Sequence, residues 1–364
     1  MSFGNMIKKL RRERDMTQES LAEILSISPQ AVSRWETDMA MPDISLIAPL
    51  CNLFDITSDE LLGIDLTRRQ KEIDDIRNEA DKYSMRGYLD KAREILENGL
   101  KKYPDNCDII NDLMYVSFRQ KHTTGDKKYL DEAIRLGEKL LEKSTEDGIR
   151  HGAIQILCFS YKDAGREEEA VKMAETMPVM ATSREMLMSL IYSGDKAYKC
   201  KQINVSNLLQ FLSNGLASMQ TVLDSGELAY TPEEEAALRD KRIAFLHLFF
   251  ENGDFGFYHS HLYGAHEKQA FYYAENGDTD KALEHLSLAA EHAVKFITSN
   301  DEDPTSLVFR GENSGCWSTD SPENDAACLL EKMESSVFDN IRDREAFAQI
   351  KEKLSKFAGE WNVQ

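Results

Sequence analysis

Two groups of side chains in this chain have the types and spacing to do chemistry. The first lies in Ser28-Pro29-Gln30-Ala31-Val32-Ser33-Arg34-Trp35-Glu36. At the helical period Val32 and Trp35 fall on one face, three apart, and Gln30, Ser33 and Arg34 fall on the other. A glutamine pairs bidentately with adenine and an arginine with guanine, so the second face carries the chemistry of reading base edges in duplex DNA. The second group is histidine: His259, His261 and His266, then His285 and His292. His259 and His266 are seven apart and share a helix face, as do His285 and His292, whereas His261 points elsewhere. A metal site would need a cysteine partner or the H-E-x-x-H spacing, and the sequence has neither, so no metal is expected. P-loop, G-x-G-x-x-G and nucleophile-elbow motifs are absent as well, so neither an enzyme nor a cofactor is expected.

The base-reading face needs a scaffold, and residues 1–66 read as five short helices. The first runs over 5–14, with Ile7 and Leu10 inward and its basic residues outward, and Asp15 and Met16 break it. Thr17 caps a second helix over 18–25, because its hydroxyl can accept an orphan N–H; Leu21, Ala22, Ile24 and Leu25 form its buried face. Ser26-Ile27-Ser28 is a turn, Ser28 caps the third helix, and Pro29 takes the first helical position, where a missing N–H costs nothing. A fourth helix over 44–54 follows Pro42-Asp43, and a fifth over 59–62 follows a cap at Ser58. Ala22 is small because the second and third helices cross there. Ile27, Val32 and Trp35 fill the wedge between them and leave the outer face of the third helix free for the major groove.

Net charge is −20. Residues 1–66 hold six cations (Lys8, Lys9, Arg11, Arg12, Arg14, Arg34) against eleven Asp and Glu, so the head carries −5 and the remainder −15. Affinity for DNA depends on local phosphate neutralisation, and five of the six cations sit in one short segment. The acidic remainder lowers non-specific affinity without excluding specific binding.

The run TQESLAEILSISPQAVSRWE, followed by MPDISLIAPLCNLFDITSDELLG, resembles the Xre/Cro/CI-type helix-turn-helix domain of phage and bacterial repressors, with its five-helix lambda-repressor-like fold. The resemblance implies that Thr17 and Gln18 hold phosphate, that Gln30 and Arg34 read base edges, and that Ser28 and Ser33 lie near the backbone or adjacent bases. Ser26 stands where the family usually has glycine. Thr37-Asp38-Met39 stands where it often has Asn-Gly and then Lys. Asp38 can adopt the left-handed conformation, but a phosphate-binding cation is lost, which shifts that work to Lys8, Lys9 and Arg12.

Residues 67–72 are polar and read as a linker to an all-α body over 73–364. There GYLDKAREILENGLKKYPDN, AGREEEAVKMAETMP and ENGDTDKALEHLSLAAEHAV repeat one plan: a turn glycine, an alanine five residues on, and an apolar helical stripe. A degenerate copy is YLDEAIRLGEKLLEK. These segments resemble the tetratricopeptide repeat, with Tyr83, Gly87, Ala92 and Pro104, then Tyr161, Gly165, Ala170 and Pro178, then Gly277 and Ala282 at matching positions. The clearest units lie near 73–106, 148–178 and 258–298. The early tryptophan is absent, Ala80 and Cys158 replace the first glycine, and 183–250 fits poorly. The expectation is a right-handed α-solenoid with a concave surface suited to a peptide or protein helix. Residues 301–322 form a non-periodic loop expected to tuck Phe309 and Trp317 against the solenoid, and helices over 324–338 and 344–357 cap the array.

This domain order is similar to that of peptide-sensing regulators of Gram-positive bacteria. Their inner helices hold the peptide backbone through asparagines, which implies Asn78 and Asn111 here. Six scattered cysteines without C-x-x-C, no signal peptide and no apolar run of membrane-spanning length place the chain in the cytoplasm. The sequence therefore describes a transcriptional regulator that binds double-stranded operator DNA as a homodimer, under control of an effector such as a peptide. The alternative is an interaction scaffold or antitoxin-like protein whose repeats bind a partner protein, with the head as tether or autoregulator.

Overall fold

Helix formers dominate and β-branched runs are scarce, which leaves little from which to build strands. The structure is a computed structural model that describes residues 3–62, 66–299, 304–311 and 318–362. The regular structure of those residues is helical, with three isolated β-bridges and no sheet. The chain divides into two compact units, Met1–Asn78 and Glu79–Gln364.

The first unit contains α1 (Phe3–Glu13), α2 (Gln18–Ile24), α3 (Pro29–Glu36), a 3-10 turn at Ile44–Leu46, α4 (Ile47–Phe54) and α5 (Ser58–Leu61). Phe3, Ile7, Leu21, Ala22, Leu25, Val32, Trp35, Leu50, Phe54 and Leu61 form its core, with Leu10 and Ile27 packed against it. Ile7, Leu21, Leu50 and Leu61 are wholly buried, and each contributes about 2–3 kcal/mol by leaving water. Three sequence expectations are corrected here. Ile24, assigned to the buried face, is exposed. The cap of α5 is Thr57, in a reciprocal capping box with Glu60, one residue before the expected Ser58. Arg11, expected to point outward, is buried. Residues 67–72 lie within α6 (Leu66–Met85), and the division between units falls after Asn78.

The second unit continues as α7 (Leu89–Lys102), α8 (Cys107–Thr124), α9 (Lys127–Lys143), α10 (Asp147–Asp163), α11 (Glu167–Ala174), α12 (Arg184–Ile191), α13 (Gly194–Ala217), α14 (Pro232–Phe249), α15 (Tyr258–Glu275), α16 (Thr279–Ser299), α17 (Asp325–Lys332) and α18 (Glu345–Ser355). Gly87, Gly165 and Gly277 stand at φ 80°, 74° and 77°, the left-handed turn that a side chain would strain. Ala92, Ala170 and Ala282 are buried, as close helix approach requires. The degenerate copy is α9, which forms a full hairpin with α8 through Gly125 at φ 71°. α8 also packs on α10, so first helices of successive repeats adjoin. Residues 183–250, which fit the repeat poorly, hold the long α13 and an irregular stretch before α14.

The non-periodic loop is anchored at both described ends. Phe309 is buried and stacks on Phe250 at 5.1 Å; Trp317 lies outside the described residues. At the other end Arg119 donates to the Ser84 carbonyl at 2.8 Å, to the Thr319 carbonyl, and to Asp320 Oδ1 at 2.6 Å. A Cβ on Gly87 would stand 2.4 Å from the Ser321 carbonyl carbon, so only glycine admits this segment. The first capping helix is shorter than expected, with α17 giving way to a 3-10 stretch at Ser336–Ile341.

Candidate nucleic-acid interface

Two caps set the helices of the turn. Thr17 Oγ1 accepts from the Ser20 N–H at 3.1 Å, and Ser28 Oγ accepts from the Ala31 N–H at 3.3 Å. Each satisfies an orphan donor and fixes where its helix begins. Ser26 and Asp38 both stand in the left-handed region, at φ 56° and 57°, where the resembled family uses glycine or asparagine. Asp38 is compensated, because its Oδ1 accepts from the Gly4 N–H at 2.8 Å. Gly4 itself sits so close to the end of α3 that a Cβ there would lie 2.3 Å from the Trp35 carbonyl oxygen.

Val32 and Trp35 are buried and turn the other side of α3 to solvent. Gln30 and Arg34 are exposed, and Ser33 is half-buried beside them. Among the described residues the side chains of Gln30 and Arg34 have no hydrogen-bond or ion-pair partner, so both polar heads are uncommitted. Ser28 and Thr17 are exposed at the starts of their helices. On α1, Arg12 is exposed, Lys8 is half-buried, and Lys9 makes a loose, exposed pair with Glu13 at 3.7 Å. A pair so well hydrated contributes little and yields readily to a phosphate.

The sequence reading missed the polar keystone beneath this surface. Arg11 Nε and Nη2 donate to the two carboxylate oxygens of Glu36 at 2.5 and 3.0 Å, and Arg11 Nη1 donates to the Met16 carbonyl at 2.6 Å. Gln18 Nε2 adds a bond of 2.8 Å to Glu36 Oε2. Burial acts to raise the Glu36 carboxyl, but the hydrogen bonds from Arg11 and Gln18 prevail and hold it below the ordinary carboxylate range. The network ties the end of α3 to α1 and to the start of α2. It also turns Gln18 inward, with one amide hydrogen left for a phosphate. Arg11 follows Ile7 by four residues and Glu36 follows Val32 by four, on the buried side of each helix, but their charge masked that placement. Met39 and Met41, exposed in the loop after α3, carried no periodic signal at all.

In the repeat unit, Asn111 on α8 faces Gly152 on α10, and its Oδ1 is buried without a partner. Exposed Tyr115 and Phe159 lie on the same two helices, and Phe118 stacks on Phe159 at 5.9 Å. Asn78 is exposed and falls in the other unit. The histidines of α15 and α16 form a buried ladder. His259 and His292 share an Nδ1–Nδ1 hydrogen bond of 2.8 Å, His266 and His285 one of 2.9 Å, and the His266 and His292 rings stack at 5.6 Å. His261 points away from the ladder, with Nδ1 2.8 Å from Ser213 Oγ. Among the described residues no group of three or more His, Cys, Asp or Glu is arranged to hold a metal.

Comparison with known proteins matches residues 7–61 to the helix-turn-helix family. The HTH-type transcriptional activator BcrR of Enterococcus faecalis is 37% identical over 63 residues, 17% of this chain; the chain spans only 31% of that relative's length. The SPbeta prophage-derived uncharacterized HTH-type transcriptional regulator YonR of Bacillus subtilis (strain 168) is 30% identical over 105 residues, 28% of this chain and 94% of that protein. Among solved structures, Bacillus thuringiensis PlcR in complex with the peptide PapR7 and DNA aligns over 80% of this chain and 94% of its own, at 16% identity and a TM-score of 0.30. A capped pair of helices with an uncommitted outer face, together with a relative matched over nearly its whole length, places this chain in the helix-turn-helix family of HTH-type transcriptional regulators.

Proposed function

We propose that this protein is a homodimeric, sequence-specific regulator that acts in the cytoplasm without enzymatic activity and takes a peptide effector in its repeat unit. The observation that carries the DNA reading is the exposed, uncommitted pair Gln30 and Arg34 on the helix anchored by Val32 and Trp35. In this reading Gln30 and Arg34 read base edges, with Ser28 and Ser33 beside them. Thr17, Gln18, Lys8, Lys9 and Arg12 engage phosphates. Two heads read half-sites about 34 Å apart, one helical turn of DNA, or a multiple of it.

The effector reading rests on Asn111. A buried carboxamide oxygen without a partner loses the hydrogen bond it would make in water, and a peptide N–H entering the seam of α8 and α10 would restore it. The net −15 beyond residue 66 favours a cationic peptide. Such an effector acts by binding the DNA-competent and incompetent arrangements of the dimer with different affinity.

Selection of bound sequences from a random duplex library by the full chain tests the DNA reading. Gln30→Ala and Arg34→Ala should each weaken the selected site by about 1–3 kcal/mol and relax one base pair. An unchanged motif in both variants, or a chain that selects no motif while retaining a stable protein partner, refutes it.

A further inference from the structure

A half-buried guanidinium in a chain with 64 Asp and Glu against 44 Lys and Arg is expected to hold a carboxylate. Arg239 of α14 does so: its Nη1 lies 2.7 Å from Glu235 Oε1, one helical turn away, and its Nε donates to Gln269 Oε1 at 2.9 Å. Arg242, three residues on and likewise half-buried, does not. Among the described residues its one hydrogen bond runs from Nε to Ser213 Oγ on α13, at 2.9 Å, and it makes no ion pair. The sequence gives the reason. Three and four residues either side of Arg242 stand Leu238, Arg239, Phe245 and Leu246, and the same positions around Ser213 and around His261 hold no Asp or Glu either. Burial draws the Arg242 guanidinium below its usual range, with no carboxylate to hold it up.

The bond at Nε decides which edge of the guanidinium is left. Ser213 is wholly buried, and its Oγ also lies 2.8 Å from His261 Nδ1 on α15. Burial, with the Arg242 charge acting in the same sense, keeps His261 neutral by pulling it down to about 4. A hydroxyl that accepts from Arg242 has its own hydrogen to give, and the neutral Nδ1 takes it. Phe257 and Tyr258 fix that imidazole edge-on at 5.1 and 5.2 Å, and Tyr258 Oη donates to the Ser206 carbonyl of α13 at 3.3 Å. Three helices thus hold Nε and orient the guanidinium plane. Nη1 and Nη2 remain, a parallel pair of donors spaced for the two oxygens of a carboxylate. One positive charge among neutral neighbours balances a monoanion, whereas a phosphate dianion would keep an uncompensated charge in a half-buried position.

We propose that the Nη1–Nη2 edge of Arg242, oriented by Ser213 and His261, is a binding site for a carboxylate, carried by a small molecule or by a peptide C-terminus. It stands independently of the Asn111 seam on α8 and α10. The test follows the His261 Cε1–H magnetic resonance signal of the full chain at constant ionic strength, identified by its loss in His261→Gln. Acetate, and acetyl-trialanine with its free terminal carboxylate, should shift that signal saturably, and neutral acetamide should not. Arg242→Gln should weaken acetate binding about tenfold or more with unchanged circular dichroism. Were that variant to unfold, Arg242→Lys, which keeps the charge and loses the fork, carries the same expectation. Acetyl-trialanine binding more tightly than acetate assigns a peptide terminus, and binding no tighter assigns a small-molecule carboxylate. Inorganic phosphate binding more tightly than acetate, acetamide matching it, or affinity that the folded Arg242 variants retain refutes the site. So does the lack of a saturable shift with both carboxylates.

Discussion

Acidification should weaken the repeat unit by an amount that the buried histidines set. Burial pushes His259 and His261 down to about 4, and His266 and His292 to about 3. Around them, Lys295 lowers His259 further while Glu291 and Asp254 oppose it, and Arg242 lowers His261 further. The four rings are therefore neutral in the folded chain at pH 5.5, whereas an unfolded imidazole titrates near 6.5. The unfolded state binds more protons as pH falls, so stability present above about pH 6.5 is lost on the way down to pH 3–4. Between pH 7 and 5.5 each ring costs about 1.2 kcal/mol and the four together about 5 kcal/mol. Asp325 works in the opposite direction. Burial pushes it up to about 7, and its Oδ2 has no partner. Its penalty is largest at neutral pH, and the same acidification returns about 1.6 kcal/mol. The net loss is then about 3 kcal/mol, read as a lower urea midpoint at pH 5.5 by circular dichroism. Asp325→Asn removes the opposing effect and should widen the loss to about 5 kcal/mol. A midpoint that is equal or higher at pH 5.5 would refute the assignment of neutral buried rings, and a pH dependence that Asp325→Asn leaves alone would refute the raised Asp325 carboxyl.

Two further predictions concern polar groups. Glu36→Ala leaves the buried Arg11 guanidinium uncompensated and should cost the head about 3 kcal/mol. In differential scanning calorimetry its transition falls while the selected DNA motif stays the same; an unchanged transition would show that the pair is not structural. Asn111→Leu removes the orphan oxygen and keeps the shape, so stability should hold within about 1 kcal/mol while titration calorimetry shows loss of binding to a cationic effector peptide. Retained binding would clear Asn111 of that role.

Most of the head was legible from residue order because its determinants are local. Thr17 and Ser28 cap their helices wherever an apolar run begins two or three residues later, and Val32 and Trp35 define the inner face of α3 by periodicity alone. The repeat glycines and alanines were legible for the same reason, since positive φ and close approach tolerate few residue types. Other features depended on partners distant in sequence, to which periodicity is blind. Arg11 looks like one more surface cation until Glu36, twenty-five residues away, closes on it. His259 and His266 gain meaning only when α16 brings His292 and His285 opposite them. Spacing determined which faces each helix has; the tertiary structure decided which face was already taken, because burial belongs to pairs of elements and a single helix cannot specify its neighbour.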